Sequence, residues 1–124
     1  MMKTWAITDV GLVRKENQDA YRIARGGDVC VVCDGMGGAA GGQIASTLAA
    51  ETYAAELEKI LKPDMTPEQL REASSYAVAM ANLAVENRAS EDDELSNMGT
   101  TLVSAIAYEG GAVVTNVGDS RAYY

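Results

Sequence analysis

Histidine is absent from all 124 residues, and that single absence removes a large share of enzyme chemistry. Ser-His-Asp and Cys-His nucleophilic schemes need an imidazole, as do all imidazole metal sites, so carboxylate, guanidinium and backbone are the repertoire left. No apolar stretch approaches the ~20 residues that span a bilayer. The N-terminus Met1-Met2-Lys3-Thr4-Trp5 has no apolar export segment behind a basic one, so a cytoplasmic protein is expected. Basic residues are few, 10 Lys and Arg against 18 Asp and Glu, for a formal charge of −8. That balance disfavours nucleic acid and anionic membrane as partners, since both are bound through basic patches. Cysteine occurs only as Cys30 and Cys33. Within a strand, residues three apart face opposite sides, so these thiols cannot converge on a metal or a mutual disulfide. They read as buried small hydrophobes in a reducing compartment.

What is present suffices for one modest core. At 48% hydrophobic content, residues 1–124 make one domain or a portion of one, not two. There is no internal repeat and no low-complexity linker. Trp5 to Val10 predicts a first strand, and Ala20 to Ala24 a second with Tyr21 and Ile23 on one face. Arg25-Gly26-Gly27 turns into a third, the apolar run Asp28 to Cys33, which delivers Asp34 to the rim of a sheet. Ala39 to Leu61 predicts a long helix with Ala50, Tyr53, Leu57, Ile60 and Leu61 on one stripe and Glu51, Glu58 and Lys59 away from it. Thr66 as N-cap, Pro67 at the first helical position and Gln69 closing a capping box start a second helix. Its expected buried stripe is Leu70, Ala73, Tyr76, Ala77, Met80, Leu83 and Ala84. Ser90 to Asn97 reads as a solvated acidic loop, lacking the glycine and spacing of a calcium loop. Thr100 to Tyr108 and Ala112 to Val117 read as a hairpin turning at Glu109-Gly110-Gly111, and Ser120 to Tyr124 as the start of another strand. Strands, two consecutive helices, then strands argue for an α+β architecture, an antiparallel sheet with a helical pair on one face.

The segment Asp34-Gly35-Met36-Gly37-Gly38 carries the most chemistry. A carboxylate at the end of an apolar run, followed by glycines that let the backbone approach a ligand, suits a hard divalent cation. The ordinary alternative is a turn carboxylate bonding local amides. Taken singly, Arg14 is a solvated arginine or a bidentate phosphate clamp. Asp19 taken singly is a surface ion-pair partner, and Asp119 an acidic residue at a hairpin end. Gly35-x-Gly37-x-x-Ala40 also fits a dinucleotide fingerprint. Against that, Asp34 would face a pyrophosphate, and the helix leads to another helix where a parallel strand is needed.

Four segments taken together are more specific. Gly11 to Asp19, Asp34 to Gly38, Met98 to Leu102 and Val117 to Tyr123 resemble, in order and spacing, the first four motifs of the metal-dependent protein phosphatases, the type 2C serine/threonine phosphatases in their bacterial form. The resemblance covers nearly the whole chain and is to the N-terminal half of the catalytic domain; two further metal-binding aspartates of the family pattern would fall beyond Tyr124. It implies an α/β/β/α four-layer sandwich of antiparallel sheets, partial in this chain. It also implies two Mg2+ or Mn2+ ions and a weaker third. Asp34 would bridge the two ions, Gly35 would give its carbonyl to one, Asp19 would belong to the metal-water shell, Asp119 would touch the third, and Arg14 would hold the phosphate. Gln18 stands where the family often has Glu, and Met36 where some members have a histidine. Thr100 and Thr101 are expected to brace the site or pack in the sheet. The implied reaction is in-line attack of activated water on phosphoserine or phosphothreonine in proteins, with no phosphoenzyme. The implied partners are phosphorylated proteins and a cognate serine/threonine kinase system. The other reading is a catalytically incomplete fragment or pseudophosphatase acting as a binding module. Uncovered strands of a partial sandwich also predict a homo-oligomer paired through residues 100–117 and 120–124.

Overall fold

The apolar run after Asp28 forms a strand and passes straight through its first glycine. In the computed structural model, which describes residues 19–117, β1 (Asp19–Ala24) and β2 (Val29–Met36) pair antiparallel. They are joined by a 3-10 turn at Arg25–Gly27 in which Arg25, Gly26 and Gly27 have φ of 55°, 65° and 102°. Glu58 holds this left-handed path in place, accepting the Arg25 backbone N–H at 3.0 Å. The sequence places Asp34 after the strand; the structure carries β2 on to Met36, so Asp34 and Gly35 lie inside it. The reason is non-local. Gly35 pairs with Thr100 and Met36 with Gly99, and those partners extend the ladder through residues with little strand preference of their own.

Helix α1 (Gly38–Ile60) follows at once, and its stripe of Ala50, Tyr53, Leu57 and Leu61 is buried as expected. Helix α2 (Pro67–Ser90) begins at the expected capping box: Thr66 Oγ1 accepts the Gln69 N–H at 3.1 Å, and Gln69 Oε1 accepts the Thr66 N–H at 2.8 Å. Its buried stripe differs from the expectation. Leu70, Ala73 and Ala77 are inside, joined by Ser74, Val78, Ala81 and Val85. Tyr76 and Leu83 are 48% and 47% exposed. Val78, Ala81 and Val85 pack in the core with Leu70, Ala73 and Ala77, and Ser74 joins this stripe because its hydroxyl meets the Tyr53 hydroxyl of α1 at 2.7 Å.

The sheet has the order β1-β2-β4-β5, with β3 (Gly99–Thr100), β4 (Leu102–Tyr108) and β5 (Gly111–Val117), and β3 also pairs with β2. Every described pairing is antiparallel, and α1 leads into α2, so the described residues hold no βαβ unit for a dinucleotide. Both helices pack on one face of the sheet, against Val29, Val31, Cys33, Leu102, Ile106, Val113 and Val117. Burying a side chain such as Val31 or Ile106 stabilises the fold by roughly 1.5–3 kcal/mol. The α+β expectation with its helical pair on one face therefore holds, and the described residues make one helical and one sheet layer. The β4–β5 turn is Glu109-Gly110, since Gly111 already pairs with Tyr108. The acidic segment contains a 3-10 turn, Asp93–Leu95, in which Leu95 is buried and the Asp92 carboxylate accepts the Glu94 N–H. The expected strands 5–10 and 120–124 lie outside the described residues. No described helix is long and apolar enough to cross a membrane.

Candidate metal site

Asp34 and Asp19 stand directly opposite one another across β2 and β1. Their side chains fall on the same face as Tyr21, Ile23 and Val32, the face away from the helices, because alternate strand residues share a face. The spacing follows from the hydrogen bonds on Asp34's other side. Thr101 donates its backbone N–H to the Asp34 carbonyl at 3.0 Å, and the Asp34 N–H donates to Thr101 Oγ1 at 3.1 Å. Both backbone groups of Asp34 thus point toward Thr101. In an antiparallel ladder the next residue points the other way, so the Gly35 carbonyl is turned toward the β1 side. By the same alternation Asp19 and Asp34 form a non-hydrogen-bonded pair, the close kind, with Cα atoms about 4.5 Å apart.

Two like charges directly opposite destabilise a sheet. A cation held by them reverses that sign, and two carboxylates with a neighbouring carbonyl are the hard oxygen donors that Mg2+ and Mn2+ take. The donor set present therefore fits the implied metal. Among the described residues no group of three or more His, Cys, Asp or Glu side chains comes together, so the described donors are Asp19, Asp34 and the Gly35 carbonyl. Arg14 and Asp119, the expected phosphate clamp and third-ion ligand, lie outside the described residues.

Gly37, the second glycine after Asp34, has a different use from the one the sequence suggests. Gly37, at φ 112°, is the N-cap of α1, and a Cβ there would meet Met98 Cα at 2.6 Å and the Asn97 carbonyl oxygen at 3.0 Å. Gly41, one turn on, would carry its Cβ 3.3 Å from Met98 Cβ. What they make room for is the 97–98 backbone rather than a ligand. This seat joins the Asp34 segment to the Met98-Gly99-Thr100-Thr101 segment, and nothing in the spacing of the two glycines identifies its occupant.

Sequence reasoning also missed the hydroxyl cluster behind the sheet. Tyr53 bonds Ser74 and Ser104, and Ser74 bonds Thr115 at 2.7 Å, linking α1, α2, β4 and β5. Burial pushes the Tyr53 phenol up, against the opposing pull of those hydroxyls. The only sequence signal for it was a tyrosine among alanines on the α1 stripe. The cysteines behave as expected. Both are free and buried, and burial pushes the Cys33 thiol up to about 12, offset in part by Thr100 and Arg22. A thiol held protonated in this way is not a nucleophile.

Comparison with known proteins agrees with this layout. The family pattern of protein phosphatase 2C matches residues 13–124. The chain is 33% identical over 119 residues to a serine/threonine phosphatase stp of Listeria innocua, covering 94% of this chain and 47% of that one. It is 34% identical over 119 residues to the serine/threonine protein phosphatase PstP of Mycobacterium tuberculosis, covering 95% and 22%. Among solved structures, that of the M. tuberculosis phosphatase PstP/Ppp superposes with a TM-score of 0.68 at 28% identity, over 87% of this chain and 43% of that one. The PPM Ser-Thr phosphatase MsPP of Mycobacterium smegmatis, in complex with cacodylate, gives 0.65 at 31%, over 86% and 41%. An antiparallel sheet under a helical pair, with opposed aspartates at its rim, is thus a portion of a PPM phosphatase fold. The chain belongs to the protein phosphatase 2C family. It spans about half the length of the Listeria relative it matches, and less of the mycobacterial one.

Proposed function

We propose that this chain carries part of a divalent-cation site for hydrolysis of phosphoserine and phosphothreonine in proteins. The observation that carries the reading is the close pair Asp19–Asp34 with the Gly35 carbonyl turned toward β1. In this reading Asp34 and the Gly35 carbonyl would hold Mg2+ or Mn2+, Asp19 would hold water beside the cations, and Asp119 would add a further carboxylate. Bound cations supply a lowered water pKa and charge neutralisation at the phosphoryl group. Arg14 holds the phosphoryl oxygens in line through its planar guanidinium. With no histidine in the chain, leaving-group protonation falls to water. The partners in this reading are phosphorylated cytoplasmic proteins and the kinase system that modifies them, with a second copy of the chain paired through the strands of residues 100–117 and 120–124.

The rival reading is a binding module without turnover. Two measurements separate the readings. Millimolar Mn2+ should raise the melting temperature of the chain by mass action, and Asp34→Asn should abolish the shift. An unchanged melting temperature in Mn2+ would refute the cation site. Release of phosphate from a phosphothreonine peptide is then followed with Mn2+; turnover lost in Asp34→Asn supports the phosphatase reading. Peptide binding without turnover supports the module.

A further inference from the structure

We propose that Thr101 is the positioning residue for Asp34, acting through an exchange of a hydroxyl for a carbonyl in the β-ladder. The inference rests on the reading of Asp34 as a cation ligand. In a regular hydrogen-bonded antiparallel pair the two residues exchange both N–H···O=C bonds. Asp34 and Thr101 complete one of them, Thr101 N–H to the Asp34 carbonyl at 3.0 Å. The return bond is rerouted. The Asp34 N–H donates to Thr101 Oγ1 at 3.1 Å, while the Thr101 carbonyl accepts the Thr100 hydroxyl at 2.8 Å. Two adjacent threonines thus divide the work that one carbonyl does elsewhere along β2.

Register is kept across the exchange. Gly35 faces Thr100 on one side of it and Val32 faces Val103 on the other, with equal numbers of residues between them on both strands. No residue is inserted, so this is not a β-bulge. The neighbouring strand is interrupted at Thr101, between β3 and β4, while β2 runs on unbroken. A threonine side chain has few χ1 choices, and here its oxygen is tied to the Asp34 amide. One residue therefore clamps both ends of the Asp34 main chain, immediately before Gly35. Fixing the nitrogen and the carbonyl fixes the Cα–Cβ direction, which holds the side chain on the same face as that of Asp19, its cross-strand partner. Hydrogen bonds that orient a metal ligand in this way typically change metal affinity about 10–100-fold.

The exchange is testable without any substitution. Scalar couplings across hydrogen bonds, measured on the full chain, should connect the Thr101 nitrogen to the Asp34 carbonyl carbon. They should be absent between the Asp34 nitrogen and the Thr101 carbonyl carbon. A coupling between those last two nuclei would overturn the proposal. Mn2+ affinity, measured by calorimetry, then reads the consequence. Thr101→Val, isosteric but without the acceptor, should weaken binding about tenfold, and Thr101→Ser should restore it to within about twofold. Wild-type affinity in Thr101→Val, with Asp34→Asn failing to bind, would overturn the positioning role alone. A wild-type chain that binds no Mn2+ would overturn the cation reading and this inference with it. If Thr101→Val does not fold, the couplings and the serine variant still decide the matter.

Discussion

The two faces of the sheet are built from the same strands and have opposite fates. On β4, Ile106 is 1% exposed under the helices, while Val103, three residues earlier and on the other face, is 42% exposed. Val114 on β5 reaches 67% and Ile23 on β1 43% on that same outer face. Strand alternation normally sets apolar against polar when one face is solvated. Here the outer face is also apolar, and the aspartates sit at its rim. The inner face accounts for the helix packing, while the outer one mixes exposed apolar residues with the buried Cys30 and Ala105.

Substitutions on the two faces should therefore differ sharply, and the largest effect lies inside. Ile106→Ala should cost roughly 2–5 kcal/mol in urea unfolding, through lost burial and the cavity left behind. Tyr53→Phe should cost about 1–3 kcal/mol, because Ser74 and Ser104 lose a buried partner. That loss carries a pH signature. The Tyr53 phenol is raised above its ordinary 10.0, so the folded protein keeps this proton after the unfolded chain has released its own. The stability it contributes is complete below pH 10 and declines as pH rises through the folded value. The gap between wild type and Tyr53→Phe should narrow above pH 10; a gap that widens would contradict the burial of this hydroxyl. At the sheet edge, Arg22 bonds Glu51 at 2.8 Å with both side chains well exposed. Arg22→Ala should change stability by about 0–1 kcal/mol, and less in high salt. Val103→Thr should have the smallest effect, within about 0.5 kcal/mol for the monomer. If it costs as much as an inner-face change, the outer face is covered in solution, and light scattering would then show a second copy.

Most of the architecture was legible because it is local. The capping box at Thr66, the Tyr53–Leu57 stripe of α1 and the glycines of the β1–β2 turn each state their own conformation within a few residues. The failures share one cause, which is that the deciding partner is far away in sequence. Gly35 reads as a strand end, yet Thr100 and Gly99 keep it in the ladder. Ser74 is not on the expected stripe of α2, yet it is buried against the Tyr53 hydroxyl. Gly37 reads as room for a ligand and is filled by Met98. For the candidate site, the sequence supplied Asp19, Asp34 and Gly35 as residue types in a pattern. It could not supply their cross-strand register or the role of the Thr101 hydroxyl, which exist only once β1, β2 and β4 have met.

Asp34 and Thr101 are 67 residues apart in the chain, and both helices lie between them. At roughly 5–20 residues per second on the ribosome, Asp34 emerges several seconds before the threonine that clamps it. The β1–β2 hairpin and the helical pair can form from neighbouring residues in that interval, since local contacts close fast. The flank of β2 that β4 will occupy has no partner until then, and an unpaired strand flank invites pairing with another chain. A nascent polypeptide of this sequence thus has a window of exposure on the β2 flank that closes with the arrival of residues 101–106, and β5 completes the described sheet after it.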